Sequence, residues 1–491
     1  MSANYRVSAY NTRRDNAFIR LIGMFVCIGA AVSVAIVILF MIKLDIYFSS
    51  GQLFYFVLID IGMVAFAFVL FLSNICNANN IARFLSFALA GLMLFLNLFV
   101  ASYLDATDEF LGGGSFGVVT SSGAVEYSVV AQRASGIELP SKTEMRAGIQ
   151  STDPFKSAVE RETKKLAFAS FTEFENVSEM IGATEDKKLD IAVVQSAMLD
   201  AFAEYFPESF GNLDIVATFK AGTDAAAVTS NPKVDITKPF SIYVSGLDTT
   251  GDINQTARSD SNMLILINPE QYRVLLISTP RDYYVQLHGT KGYPDKLTHG
   301  GIYGIDMLEE TLQDLYDFTI DYHVQINFTT ITTFVESMGG IVVDNPQTFE
   351  LWGQTYKEGE IWLNGDQALL FARARKGLAE GDIDRGKNQM IVIEGIVKRL
   401  TTPDVVVHYK KLISNLSGTF LSNIPPNVIT QLFSRQISLG GDWSIEKMNA
   451  TGSFAQKPTY SMGSEALSVV VPDQMSVYEI QQAIREFMRG N

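Results

Sequence analysis

Apolar positions crowd into three long runs near the start of the chain and then alternate with polar ones at strand and helix spacing. Residues 21–42 are uncharged, residues 53–72 hold one acid, Asp60, and residues 84–104 are again uncharged. Each run is long enough to cross a hydrocarbon core of roughly 30 Å as a helix. Three such runs joined by short loops predict three membrane-spanning helices rather than a cleaved leader. Arg6, Arg13, Arg14 and Arg20 precede the first run and Arg83 lies in the second loop, against Lys43 alone in the first loop. This bias places residues 1–20 as a cytoplasmic arm and everything after residue 104 outside the cell membrane. Asp60 reads as a polar contact between helices, since the runs hold no second charge to pair with it.

Beyond the runs, GGGSFG (112–117) opens a break and TSNPKVDITKP (229–239) reads as a turn-rich linker. Between them, EYSVVAQ (126–132) and LDIVATFK (213–220) have strand character, while PFKSAVERETKKLAFASF and LDIAVVQSAMLDAFAEYF carry helical spacing. Residues 111–238 are therefore expected to form a small α/β or α+β accessory domain. FSIYVSGLD (240–248), NMLILIN (262–268) and YRVLLIS (272–278) are near-continuous apolar runs suited to strands buried between two helical layers. With ITTFVESM and NQMIVIEGIVKRL as helices and IVVDNP and DVVVHY as further strand candidates, residues 239–440 predict an α-β-α sandwich. ALSVVVP and VYEIQQAIREFMRG add a strand and a helix in residues 441–491, a C-terminal extension packed on that domain.

Charge narrows the function. Residues 1–104 hold six of the 38 basic and three of the 53 acidic residues, leaving the remainder at minus 18. Such a surface argues against nucleic acid as a partner of the large domain. Both cysteines, Cys27 and Cys76, fall before the exterior region, which must hold together without disulfides.

Within this acidic region, arginines gather at predicted element ends. Asp248 closes the first strand of the sandwich, and Arg258 and Asp260 immediately precede the second, so the three can share one sheet edge. Two carboxylates without His or Cys suit either simple turn caps or a hard cation, most simply magnesium bridging to phosphate oxygens. Pro280 ends the third strand and presents Arg281 and Asp282 from a loop, followed by Lys296 and by His299, which reads as a structural residue. LLFARAR (369–375) alternates and predicts a strand with Arg373 and Arg375 on one face, a repeated guanidinium fork suited to phosphate. The next helix is expected to start with Asp382 as N-cap, and Arg385 and Gln389, four apart, share one of its faces. Capping alone would account for Asp382 without any chemistry. Fixed cations in a net-negative region suggest a pyrophosphate site with a counter-ion.

SGLD, ARSDSNMLILINP, LLISTPRDYYV, YPDKLTHGG, FVESMGGIVV and FARAR followed by GDIDRGKNQ occur in the order of a known family. On these pieces the chain resembles the LytR-CpsA-Psr (LCP) family of Gram-positive cell-wall enzymes, and its layout resembles the capsule-associated branch. The resemblance implies an α-β-α catalytic domain with an apolar pocket for a polyprenyl chain. The implied enzyme is a magnesium-dependent phosphotransferase that moves capsular polysaccharide from a polyprenyl pyrophosphate carrier onto peptidoglycan. Capsule polymerisation proteins are further candidate partners. Carried over by position, Asp248 and Asp260 would hold the metal, and Arg258, Arg281, Arg373, Arg375, Arg385 and Gln389 would grip the pyrophosphate. Arg281, Asp382 and Arg385 would be catalytic, Asp382 by orienting the arginines or taking the acceptor proton. The chain departs from the commonest family pattern at Asn262, where many members have Met or Thr, and at Asn388, which replaces an arginine. The same clamp would also serve a polyprenyl pyrophosphate hydrolase, and the cytoplasmic arm would suit a membrane regulator that senses the lipid-linked precursor.

Overall fold

The computed structural model describes residues 2–43, 50–76, 80–112, 117–118, 125–133, 135–153, 155–222, 235–374, 382–402, 412, 414–416, 418–425, 428–429, 431–432, 435–436 and 443–490, with the side chains of residues 2–19, 43, 50–57, 74, 80, 103–104, 106–112, 117–118, 168 and 382–383 outside this description. Two compact units emerge, Met1–Gly114 with Pro426–Gly440, and Ser115–Pro425 with Gly441–Asn491.

The first unit contains the helices Ser2–Lys43, Ser50–Cys76 and Asn80–Gly112. Small side chains line their contacts, with Ala30, Ala67, Ala90 and Cys27 buried, while Phe25, Ile28, Phe68, Phe84 and Phe95 face outward. Small residues inside and large apolar residues outside are the arrangement that packing in lipid favours. Two stretches, Arg20–Ile42 and Ile81–Ser102, are long and apolar enough to cross a membrane. The expected third span, 53–72, forms a helix, but its described apolar part, Leu58–Ser73, falls short of that length. Asp60 is buried within this helix set.

In the second unit a five-stranded sheet runs in the order Ala167–Phe174, Ser141–Gln150, Ile191–Gln195, Val125–Gln132, Leu213–Ala221. Two stretches expected to be helical are each half strand. Helix Lys156–Leu166 stops before strand Ala167–Phe174, and strand Ile191–Gln195 precedes helix Ser196–Tyr205. The second strand is buried at every position, and a run covered on both faces shows no period of two by which to recognise it.

The larger sheet is mixed, and its centre is an antiparallel meander of Phe240–Leu247, Ser259–Asn268 and Arg273–Thr279. Strand Tyr322–Ile326 joins one side in parallel and Ser444–Asn449 the other, so the C-terminal stretch supplies a sheet edge. Alternate residues of the meander divide between two cores. Tyr243, Leu264, Leu266, Leu275 and Ile277 pack with helices Leu297–Tyr303, Ile305–Tyr316 and Gln474–Met488. Val244, Met263, Val274 and Leu276 face Met390 of helix Asp382–Leu400.

Residues 365–373 correct the strand reading of LLFARAR: they form helix Gly365–Arg373. Asn364 and Gln367 make a reciprocal capping box, and Ala368, Phe371 and Ala372 are buried at helical spacing. The cap nucleates the helix, which an alternation of five residues cannot outweigh. Arg375, DVVVHY and most of the linker 229–239 lie outside the described residues.

Candidate functional site

The meander brings its strand ends together. Asp248 follows the first strand, and its backbone N–H donates to the Arg258 carbonyl at 3.2 Å, which sets Asp248 beside the start of the second strand as expected. Pro280 ends the third strand, and Arg281 reaches back to Asp260, with Nη1 at 2.9 and 2.7 Å from the two carboxylate oxygens. Thr298 Oγ1 donates to the same carboxylate at 3.3 Å. From the opposite layer, Arg385 donates through Nη2 to the Asp260 carbonyl at 3.1 Å, with Nη1 3.5 Å from the carboxylate. Arg385 is buried, and Gln389 on the same helix face accepts from Ser261 Oγ at 2.9 Å. Arg258 Nη2 lies 3.7 Å from Asp248, while its Nη1 pairs with Glu204.

These groups rim a cavity of about 570 Å³ whose depth is apolar. Ile242, Val244, Met263 and Ile265 of the sheet line one wall, with Val324 and Ile326, while Ile331, Phe334, Leu369, Val392, Ile393 and Ile396 of the covering helices close the other. Asp248, Arg258, Asp260, Arg281, Arg373 and Arg385 stand at its charged end. Arg373 is placed by the last turn of its helix, with its guanidinium 4.2 Å over the Phe328 ring. One elongated ligand with an anionic head and an apolar tail matches this division.

The charges at the rim are coupled. Burial, followed by the neighbouring Asp260 charge, pushes the Asp248 carboxyl up, and Arg258, Arg373 and Arg281 pull it the other way. Asp248 and Asp260 are the carboxylates here that could share a hard dication, with both Asp260 oxygens already accepting from Arg281 Nη1. Among the described residues no group of three or more His, Cys, Asp or Glu converges at metal spacing.

The structure thus brings together Asp248, Arg258, Asp260, Arg281, Arg373, Arg385 and Gln389. Arg375 lies outside the described residues, so the paired Arg373–Arg375 face has no support, and the strand on which it depended is a helix. The described part of helix Asp382–Leu400 begins at Asp382, and the cap expected of its side chain lies outside the described residues. His299 is fully buried, with Nδ1 2.7 Å from Asp295 and Nε2 3.2 Å from the Tyr205 hydroxyl, in keeping with a structural role. Asn262 is buried and accepts from the Tyr243 hydroxyl at 2.7 Å and from Ser259 Oγ at 3.0 Å, contacts that a Met would not make.

Sequence reasoning missed the smaller domain's share. Helix Ser196–Tyr205 ends at the rim, where Glu204 pairs with Arg258 and the Tyr205 ring lies 4.7 Å from Lys296 Nζ. Lys296 in turn sits 3.1 Å from Asp282. Ile302, Met462 and Leu467 of the larger domain enter the same apolar cluster as Met198, Leu199 and Phe202, which fixes the helix there.

Comparison with known proteins gives one consistent result. Residues 213–486 match the LytR_cpsA_psr family. A "Polyisoprenyl-teichoic acid--peptidoglycan teichoic acid transferase TagU" of Bacillus cereus (strain AH820) is 34% identical over 206 residues, covering 42% of this chain and 64% of that protein. A protein of the same description from Enterococcus faecalis (strain ATCC 700802 / V583) is 29% identical over 230 residues, covering 46% of this chain and 76% of that one. The crystal structure of B. subtilis TagV aligns at a TM-score of 0.45 and 26% identity, over 52% of this chain and 98% of that chain. The chain spans 64% of the length of the first of these relatives, just under two thirds.

Proposed function

The chain belongs to the LytR_cpsA_psr family, and we propose that it is a membrane-anchored phosphotransferase that moves a glycopolymer from a polyprenyl pyrophosphate carrier to peptidoglycan. The observation that carries this reading is the single cavity with an apolar depth and a rim of Arg258, Arg281, Arg373 and Arg385. The relatives' description, transfer of a polyisoprenyl-linked polymer to peptidoglycan, supports the same class of donor and acceptor. Capsular polysaccharide is the polymer proposed, on the accessory domain and helical N-terminus that distinguish the layout. The two apolar helices are read as the anchor, and the positive arm before them supports an outer-surface position for the catalytic domain, where the lipid-linked donor and the wall both lie.

In this reading the polyprenyl chain occupies the apolar depth and the pyrophosphate meets the arginines. An acceptor hydroxyl attacks the glycan-proximal phosphorus in line, forming a new phosphodiester, while the bond to the bridging oxygen breaks and lipid monophosphate leaves. Arg281 and Arg385, both fixed on Asp260, stabilise charge on the transferring and leaving oxygens without reorganising. Asp248 and Asp260 would hold magnesium, which when bound supplies further charge neutralisation at the phosphates. Asp382 is the proposed acid for the acceptor proton, and Gln389, steadied by Ser261, faces the same phosphate region.

Incubating the purified chain with labelled lipid-linked glycan, magnesium and peptidoglycan tests this. Glycan joined to peptidoglycan with release of lipid monophosphate is the expected product. Free glycan phosphate without an acceptor product would assign a hydrolase instead.

A further inference from the structure

Two cavities meet at Asp248 and Arg258. One is the apolar-tailed cavity described above. The other is a polar groove of about 310 Å³ between the two domains, with Glu126, Asp200 and Lys220 of the smaller domain on one wall. Asp252, Asn254 and Gln255, in the loop after strand Phe240–Leu247, form the facing wall. Building on the phosphotransferase reading, we propose that this groove is a saccharide subsite for the donor, holding the sugar units attached to the pyrophosphate on the side away from the lipid.

A pyrophosphate diester has two ends of opposite character. With the lipid in the apolar cavity, the other ester must leave the rim elsewhere, and the groove opens from the two residues that the cavities share. Its lining suits hydroxyl groups, because carboxylate and side-chain amide oxygens accept from them and the amides can also donate. The wall is organised in advance: Asn254 donates to Asp252 Oδ1 through its backbone N at 3.0 Å and its side chain at 2.9 Å. Charge separates this site from another phosphate site. Glu126, Asp200, Asp248 and Asp252 outnumber Lys220 and Arg258, so a further anion is repelled while neutral sugar hydroxyls are not. The accessory domain thereby becomes half of the donor site, which accounts for an apolar interface that holds helix Ser196–Tyr205 against the larger domain.

The test uses the full chain in detergent micelles and two probes, geranylgeranyl diphosphate and the same lipid diphosphate carrying one N-acetylhexosamine. Calorimetric titration should show the sugar-bearing probe binding about tenfold more tightly, the effect of one or two well-placed hydrogen bonds. Glu126→Gln combined with Gln255→Ala changes one exposed side chain on each wall. This variant should lose the tenfold margin and keep the affinity for geranylgeranyl diphosphate. Equal affinity of the unaltered protein for both probes overturns the subsite, as does equal weakening of both probes in the variant. A variant that alters only the KM for peptidoglycan overturns the donor assignment. Failure of the unaltered protein to bind geranylgeranyl diphosphate overturns the phosphotransferase reading and this one with it.

Discussion

Asp260 accepts from Arg281 Nη1 on both carboxylate oxygens and from Arg385 Nη2 on its backbone carbonyl, so one residue positions both guanidinium groups. Arg281→Ala should lower kcat about 100-fold or more, the scale of losing one preorganised charge at a developing oxyanion. Arg281→Lys should recover only part of this, since an ammonium keeps the charge but lacks the further guanidinium nitrogens that would meet a phosphate while Nη1 holds Asp260. A transfer assay alongside thermal melts checks both, and unchanged kcat in the alanine variant would remove Arg281 from the mechanism. Away from the site, Asp190 accepts from Arg146 N, Nε and Nη2 at 2.7, 3.2 and 2.8 Å, and the Arg146 side chain holds its carboxyl below the usual range. A depressed carboxyl stabilises the fold above its unfolded value of about 3.9 and loses that contribution as pH falls through the folded value. Asp190→Asn should therefore melt lower at pH 7 and show less of the acid-side decline; superimposable Tm curves against pH would contradict this. Arg281 was legible because Pro280 ends its strand, whereas nothing local ties Glu204 to Arg258, 54 positions later in the chain.

Helix Leu297–Tyr303 shows why YPDKLTHGG contains paired glycines. A Cβ on Gly301 would lie 2.7 Å from the Ala257 carbonyl and the Ser259 amide, the backbone that carries Arg258 and leads into Asp260. Gly301→Ala must push the helix off that strand, and denaturant unfolding should show a loss of about 1–3 kcal/mol. A midpoint unchanged from the parent would mean that the contact relaxes freely. The strands of the meander were readable from their β-branched runs, because burial on both faces leaves a continuous apolar signal. Helix Gly365–Arg373 was not, since a reading by alternation overlooked the Asn364–Gln367 cap that precedes the arginines. That error relocates Arg373 from a strand face to a helix end over Phe328.

At the scale of the whole molecule, an N-terminal unit with outward-facing apolar side chains accompanies a second unit in which two domains share an apolar cluster. The N-terminal apolar helices and the presence of strands on both sides of the linker followed from hydropathy and from strand-like runs. The mixed order of the larger sheet did not, because pairings such as Tyr322 with Ile242 and Ser444 with Arg273, far apart in the chain, leave no mark in local sequence. Nor did the cavity, which arises only when sheet and helices leave their facing apolar side chains short of contact. In the proposed mechanism this cavity takes the lipid and its rim takes the pyrophosphate. A crystal structure of the protein with geranylgeranyl diphosphate tests it most directly. Continuous lipid density is expected between Val244 and Phe334, with the diphosphate against Arg281 and Arg385. Density for the diphosphate away from these arginines, with the cavity unfilled by lipid, would contradict it.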